Sequence, residues 1–183
     1  MPDLLPRPPR ADAAENRGRI LDAARALFAT EGITVPMREI ARRAGVGPAT
    51  LYRHFPTKEI LATAAFAEQL RACRAIVEQA GADPDPWRGF RTLIEEICAL
   101  HARSRGFTEA FTATFPDAAD LGADRAAALR AVAGLAVRAQ RSGRLRADFT
   151  VDDLMLVLSA HRGIGAAGSA RFASLMIQAF RAP

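Results

Sequence analysis

The chain is poor in residues that would staple or metallate a fold, with two cysteines, one tryptophan, one tyrosine and three histidines among 183 residues. Cys73 and Cys98 fall inside helical patterns and lack metal-type spacing, so buried, reduced thiols are expected and no metal is. Glu95, Cys98 and His101 stand three apart. The di-metal bundle motif, however, places Glu three before His, and Cys98 occupies that position. A glycine-rich phosphate loop, a nucleophile elbow and a Cys–His pair with an orienting acid are all missing, so neither an enzyme nor a cofactor is expected. No segment approaches the roughly 20 apolar residues of a membrane helix. The first ten residues carry prolines where a signal peptide needs an apolar core, so a cytoplasmic protein with no membrane partner is expected. Lysine is almost absent. Lys58 is the single lysine among 25 basic residues, which face 20 acidic ones for a formal charge of +5. That balance permits a polyanionic partner without demanding one.

What is present is helical periodicity. Half of the residues are apolar, no stretch alternates with period two over strand length, and no repeat of fixed period occurs, so an all-α fold of about nine helices is expected. A proline-rich flexible arm over residues 1–14 precedes a first stripe at Ile20, Ala24, Leu27 and Phe28. A short second helix carries Met37, Ile40, Ala41 and Ala44 and stops at Gly45. Pro48 opens a third that turns Leu51 and Phe55 inward before Pro56. The fourth is expected to run long from Thr57, with Phe66, Leu70, Cys73 and Val77 in one stripe. A stripe from Phe90 to His101, an aromatic segment with Phe107, Phe111 and Phe115, and a helix over 123–141 follow. The last two helices turn Leu154, Leu158 and His161, then Phe172, Leu175, Met176, Ala179 and Phe180, inward.

Residues 37–55 have the spacing of a helix-turn-helix, so a domain over 15–61 is expected to precede a second over 62–183. The outward face of the third helix presents Pro48, Ala49, Thr50, Tyr52, Arg53 and His54, with little to bury against. Small groups at a helix start let the backbone approach base edges in a major groove, and a proline ring or alanine methyl can touch a thymine methyl. Thr50 can bond a base or a phosphate, Tyr52 and His54 have the reach for phosphates, and Lys58 sits at the first turn of the next helix. Arg38 is the residue best placed for a bidentate contact with guanine, unless it pairs with Glu39 or Glu31.

The stretch IARRAGVGPATLYRHFPTKEIL, Ile40 to Leu61, resembles the recognition segment of the tetracycline-repressor (TetR) family, and the likeness extends back to Ile20. It implies base contacts by Arg38, Pro48, Ala49 and Thr50 and phosphate contacts by Tyr52, His54 and Lys58. Gly47 departs from the family, where many members carry serine or another capping side chain. Beyond Leu61 the resemblance is architectural. It implies a repressor released from DNA by its ligand, with a small-molecule pocket enclosed by helices 4 to 7 and a homodimer built through the last two helices.

Shared stripes and aromatic content nominate Phe66, Leu70, Cys73, Trp87, Phe90, Ile94, Cys98, His101, Phe107 and Phe111 as lining residues for a small apolar or aromatic effector. A homodimer sets its two reading helices one DNA turn apart, about 34–36 Å, which implies a palindromic operator. The alternative is a small helical carrier or enzyme of apolar ligands with an incidental helix-turn-helix.

Overall fold

The computed structural model describes residues 9–104, 107, 119–161 and 163–183. The chain divides into two units, Met1–Ala65 and Phe66–Pro183. Among the described residues there are nine helices and no strand, apart from one antiparallel bridge between Leu145 and Arg181.

Four helices build the first unit: α1 (Pro9–Thr30), α2 (Met37–Ala44), α3 (Pro48–His54) and α4 (Lys58–Ala65). The helix α1 begins inside the stretch read as an arm, because Ala11, Ala13 and Ala14 are strong helix formers and Asp12 complements the positive end of the helix. Ile20, Ala24, Leu27 and Phe28 on α1 close with Ile40, Leu51, Phe55 and Leu61 into one core. The turn between α2 and α3 depends on Gly45. It sits at φ 65°, a left-handed conformation that L side chains rarely adopt, and it lets the Gly45 and Val46 amides return to the carbonyls of Arg42 and Ala41. Gly47 caps α3 through its backbone alone, followed by Pro48 at the first helical position.

The long fourth helix expected from Thr57 through Val77 is two helices. It ends at Ala65, and α5 (Ala67–Ala82) begins beyond Phe66, whose backbone leaves the helix at φ −108° and ψ 18°. No proline or glycine marks the break. The Arg25 side chain donates from Nε to the Ala65 carbonyl at 2.9 Å, satisfying a group that the helix end leaves open. The Phe66 ring is buried against Phe107, with centroids 5.8 Å apart.

The second unit continues with α6 (Pro86–Arg103), α7 (Ala119–Arg141), α8 (Val151–His161) and α9 (Ala166–Phe180). The helix α6 is its axis and packs against α5, α7, α8 and α9. Asp85 starts it by accepting the Trp87 and Arg88 amides. Its first turns carry an aromatic cluster in which Phe90 meets Trp87, Phe149 and Phe180 at centroid distances of 5.9, 5.0 and 6.2 Å. At Gly89 the α6 backbone approaches α5 so closely that an added Cβ would lie 2.3 Å from the Ala80 carbonyl oxygen. Gln140 on α7 donates to the carbonyls of Arg146, Ala147 and Phe149 and so holds the loop before α8. The aromatic segment with Phe111 and Phe115 lies outside the described residues.

The inward face of α9 differs from the one expected. Ser169, Ala173, Ile177 and Phe180 are buried, whereas Leu175 is exposed and Phe172 and Met176 are half-buried. Ser169 tolerates burial because its hydroxyl meets His161 Nε2 at 2.9 Å. The apolar residues of the expected stripe therefore stand largely on the outer side of the helix.

Candidate nucleic-acid interface and internal cavity

In the first unit, Leu51 and Phe55 anchor α3 in the core, and this footing turns the rest of the helix outward. Pro48, Ala49 and Arg53 are exposed, Thr50 and His54 are half-buried, and Tyr52 is half exposed at 50%. An aromatic ring exposed to that extent leaves its hydroxyl open to solvent. Lys58 is steered by a bond from Nζ to the Thr34 carbonyl at 3.1 Å, which fixes its ammonium near the start of α4.

Arg38 is exposed on α2. Glu39, its candidate competitor, is instead gripped by Arg42 through three hydrogen bonds of 2.5–3.1 Å. That hydrogen bond from Arg42 is the main reason the Glu39 carboxyl titrates below its usual range. Arg42 therefore commits its fork within α2, and among the described residues Arg38 holds no ion pair.

In the second unit, a small cavity lies between Cys73 and Val77 of α5, Leu93, Ile97 and His101 of α6, and a third wall of Ala128, Leu129 and Val132 from α7. Leu154 and Leu158 of α8 add a fourth wall. Its free volume is about 20 Å³, room for roughly one water molecule. Of the residues nominated from the sequence, Cys73 and His101 face this cavity. Phe66 and Phe107 pack on each other, and the Phe107 ring also meets His101 at 5.3 Å. Trp87 and Phe90 belong to the aromatic cluster at the start of α6. Ile94 and Cys98 are buried elsewhere on α6, Leu70 is half-buried, and Phe111 lies outside the described residues. Val77, Leu93, Ile97, Leu129, Val132, Leu154 and Leu158 were legible as stripe residues, but nothing in a stripe marks which of its members borders a void.

Comparison with known proteins supplies the family. The model for bacterial regulatory proteins of the tetR family matches residues 20–65, and that for the C-terminal domain of SbtR-like transcriptional regulators matches residues 85–177. The chain belongs to the TetR family.

Among its relatives, the TetR chain is 35% identical over 105 residues to the HTH-type transcriptional repressor KstR of Rhodococcus jostii, covering 55% of this chain and 48% of that protein. An HTH-type transcriptional regulator of Staphylococcus aureus is 49% identical over 53 residues, 28% of this chain and 29% of the relative. The alignments thus span half or less of the length of these curated relatives. Among solved structures, a TetR regulator from Streptomyces coelicolor is 28% identical with a TM-score of 0.52, covering 91% of this chain and 98% of that one. A tetR-family regulatory protein from Rhodococcus shares the fold at a TM-score of 0.67 and 20% identity, covering 92% and 98%.

The geometry adds one residue that the sequence did not single out. The guanidinium of Arg17, on α1, stands 5.1 Å over the Phe55 ring at the C-terminal end of α3. A cation held against that ring braces the end of the helix and adds positive charge beside His54. Its place on α1, far along the chain from α3, left no local signal. Changing Arg17 to Ala is expected to weaken DNA binding by about 3- to 10-fold and to lower the slope of log affinity against log salt. An unchanged affinity in a fluorescence-anisotropy titration would refute the brace.

The two buried histidines of the second unit make stability depend on pH. Burial pulls His101 down from its ordinary 6.5 to about 4, with a smaller push from His161, and burial also lowers His161. The unfolded chain therefore takes up protons that the folded one refuses. Their stabilising contribution is complete above pH 6.5 and, for His101, is lost as the pH falls toward about 4. The denaturation midpoint of the protein is expected to drop across that window, and less steeply in His101→Gln.

Proposed function

We propose that this chain is a DNA-binding transcriptional repressor that binds a palindromic operator as a homodimer and is released by a small apolar or aromatic effector. The observation that carries the reading is the outward face of α3, where Thr50, Tyr52, Arg53 and His54 project from a helix anchored by Leu51 and Phe55. In it, Arg38, Pro48, Ala49 and Thr50 read bases while Tyr52, Arg53, His54 and Lys58 hold phosphates. The reading assigns residues 15–61 to DNA and 62–183 to effector and dimer.

Dimerisation is assigned to α8 and α9. Leu156 is 69% exposed on α8 and Leu175 is 42% exposed on α9, an apolar surface that a two-fold interface would cover. No helix among the described residues is long and apolar enough to cross a membrane, which accords with a cytoplasmic site of action. An effector that favours the released conformation by about 2–3 kcal/mol suffices to empty most of the operator.

The test is selection of genomic fragments by the purified protein at two salt concentrations. A two-fold-symmetric enriched site, retained at the higher salt, is the expected result. Enrichment of no sequence from effector-free protein would overturn the reading and bring forward the helical carrier.

A further inference from the structure

We infer that the effector taken by the cavity between α5, α6, α7 and α8 is an uncharged molecule, and that carboxylates and ammonium compounds of the same size are refused. The inference rests on the effector reading above and narrows it to a chemical class. Of the ten described side chains around the cavity, eight are hydrocarbon, and the other two are the thiol of Cys73 and the imidazole of His101. A charge brought among them gives up its water and meets no opposite charge from the described wall residues, the arrangement that costs most in a protein interior.

Neither polar wall group supplies that charge near neutrality. Burial pushes the Cys73 thiol up to about 11, so it stays protonated, and His101 stays unprotonated down to about 4. Room is also limited. A free volume of about 20 Å³ admits any larger effector only if the walls part. Burial of the effector's hydrocarbon along the walls must then drive the opening, a stabilisation that an uncharged chain keeps whole and an ion loses to desolvation.

Arg125 sets the rival outcome. It lies one turn before Ala128 and Leu129 on α7, and its Nε is buried with no hydrogen-bond partner among the described residues. It does not line the cavity, but an amphiphile with an acidic head could leave its tail inside and place that head on the guanidinium.

The experiment is isothermal titration of the full chain at pH 7.5 with 1-decanol, decanoate and decylammonium, repeated in Ala128→Phe and Arg125→Gln. The alcohol is expected to bind at least 30-fold more tightly than either ion and to lose at least tenfold in Ala128→Phe, with Arg125→Gln unchanged. If circular dichroism shows Ala128→Phe misfolded, Ala128→Val serves, with a smaller loss expected. Decanoate binding as tightly as decanol would overturn the uncharged class, leave effector sensing standing, and, if lost in Arg125→Gln, assign the head group to that guanidinium. Decanol binding undiminished in a folded Ala128 variant would overturn the cavity as its site. Binding of none of the three would overturn the inference together with the effector half of the proposed function, while DNA binding is measured separately.

Discussion

Changing Gly89 to Ala is expected to cost the second unit about 3 kcal/mol or more of stability, although alanine is the better helix former by about 1 kcal/mol. The methyl group would arrive 2.3 Å from the Ala80 carbonyl oxygen and 3.1 Å from the Asp83 Cβ. A side chain in its way could turn aside, but here the obstacle is backbone, so α5 and α6 must separate. Their separation would spread. The Arg138 guanidinium donates to the carbonyls of Gly81 and Asp83, and Arg88 pairs with Asp83, so two arginines hold the same short loop. Trp87 stands two residues from the substitution, and as the sole tryptophan it reports on this unit in urea denaturation. Gly134 is the control. It lies on α7 with nothing within 4 Å of an added Cβ, so Gly134→Ala is expected to stabilise by about 0.5–1 kcal/mol. Equal midpoints for the wild type and Gly89→Ala would contradict the close approach.

Arg38→Ala is expected to weaken operator binding by about 5- to 150-fold, the range of a lost bidentate base contact of about 1–3 kcal/mol. The loss should be uneven, relaxing preference at the one base pair assigned to Arg38 and leaving the others intact. Tyr52→Phe removes a hydroxyl assigned to a phosphate, so its smaller loss should be the same on every sequence. Binding measured on a panel of operators mutated base by base separates the two patterns. A uniform loss for Arg38→Ala would move that residue to the phosphate group. Because Arg42 already grips Glu39, the Arg38 effect should depend only weakly on removing the Glu39 carboxylate, and Arg38→Ala in a Glu39→Gln background checks this.

The first unit was readable because its signals are local. Gly45 between two short stripes, Pro48 at a first turn, and Leu51 with Phe55 four apart each define a helix end or face within a few residues. The second unit depends on which elements meet, and a single sequence records that poorly. Two apolar stripes run along α9, and periodicity alone favoured the one with the larger side chains. The buried one contains Ser169, whose burial depends on a histidine from another helix. The break at Phe66 carries no punctuating residue, and Arg25, which bonds the Ala65 carbonyl there, comes from forty positions earlier. For the cavity, Cys73 and His101 stood out by type, whereas its remaining walls are side chains indistinguishable in sequence from ordinary core.

The pairing of the loop before α8 with the residues after α9 bears on how the chain is made. The Arg146 amide donates to the Phe180 carbonyl at 2.9 Å, the Ala182 amide returns to Arg144 at 3.0 Å, and the Arg146 guanidinium covers the Phe180 ring. Two whole helices separate these partners, so the clasp that joins them closes only after residue 182 has left the ribosome. The first unit ends at Ala65, well ahead of that later stretch. During synthesis it can reach its fold while the aromatic cluster around Phe90 still waits for Phe180. A ribosome stalled shortly before Phe180 would therefore carry the first unit ahead of an unfinished second one, with Trp87 and Phe90 open to chaperones.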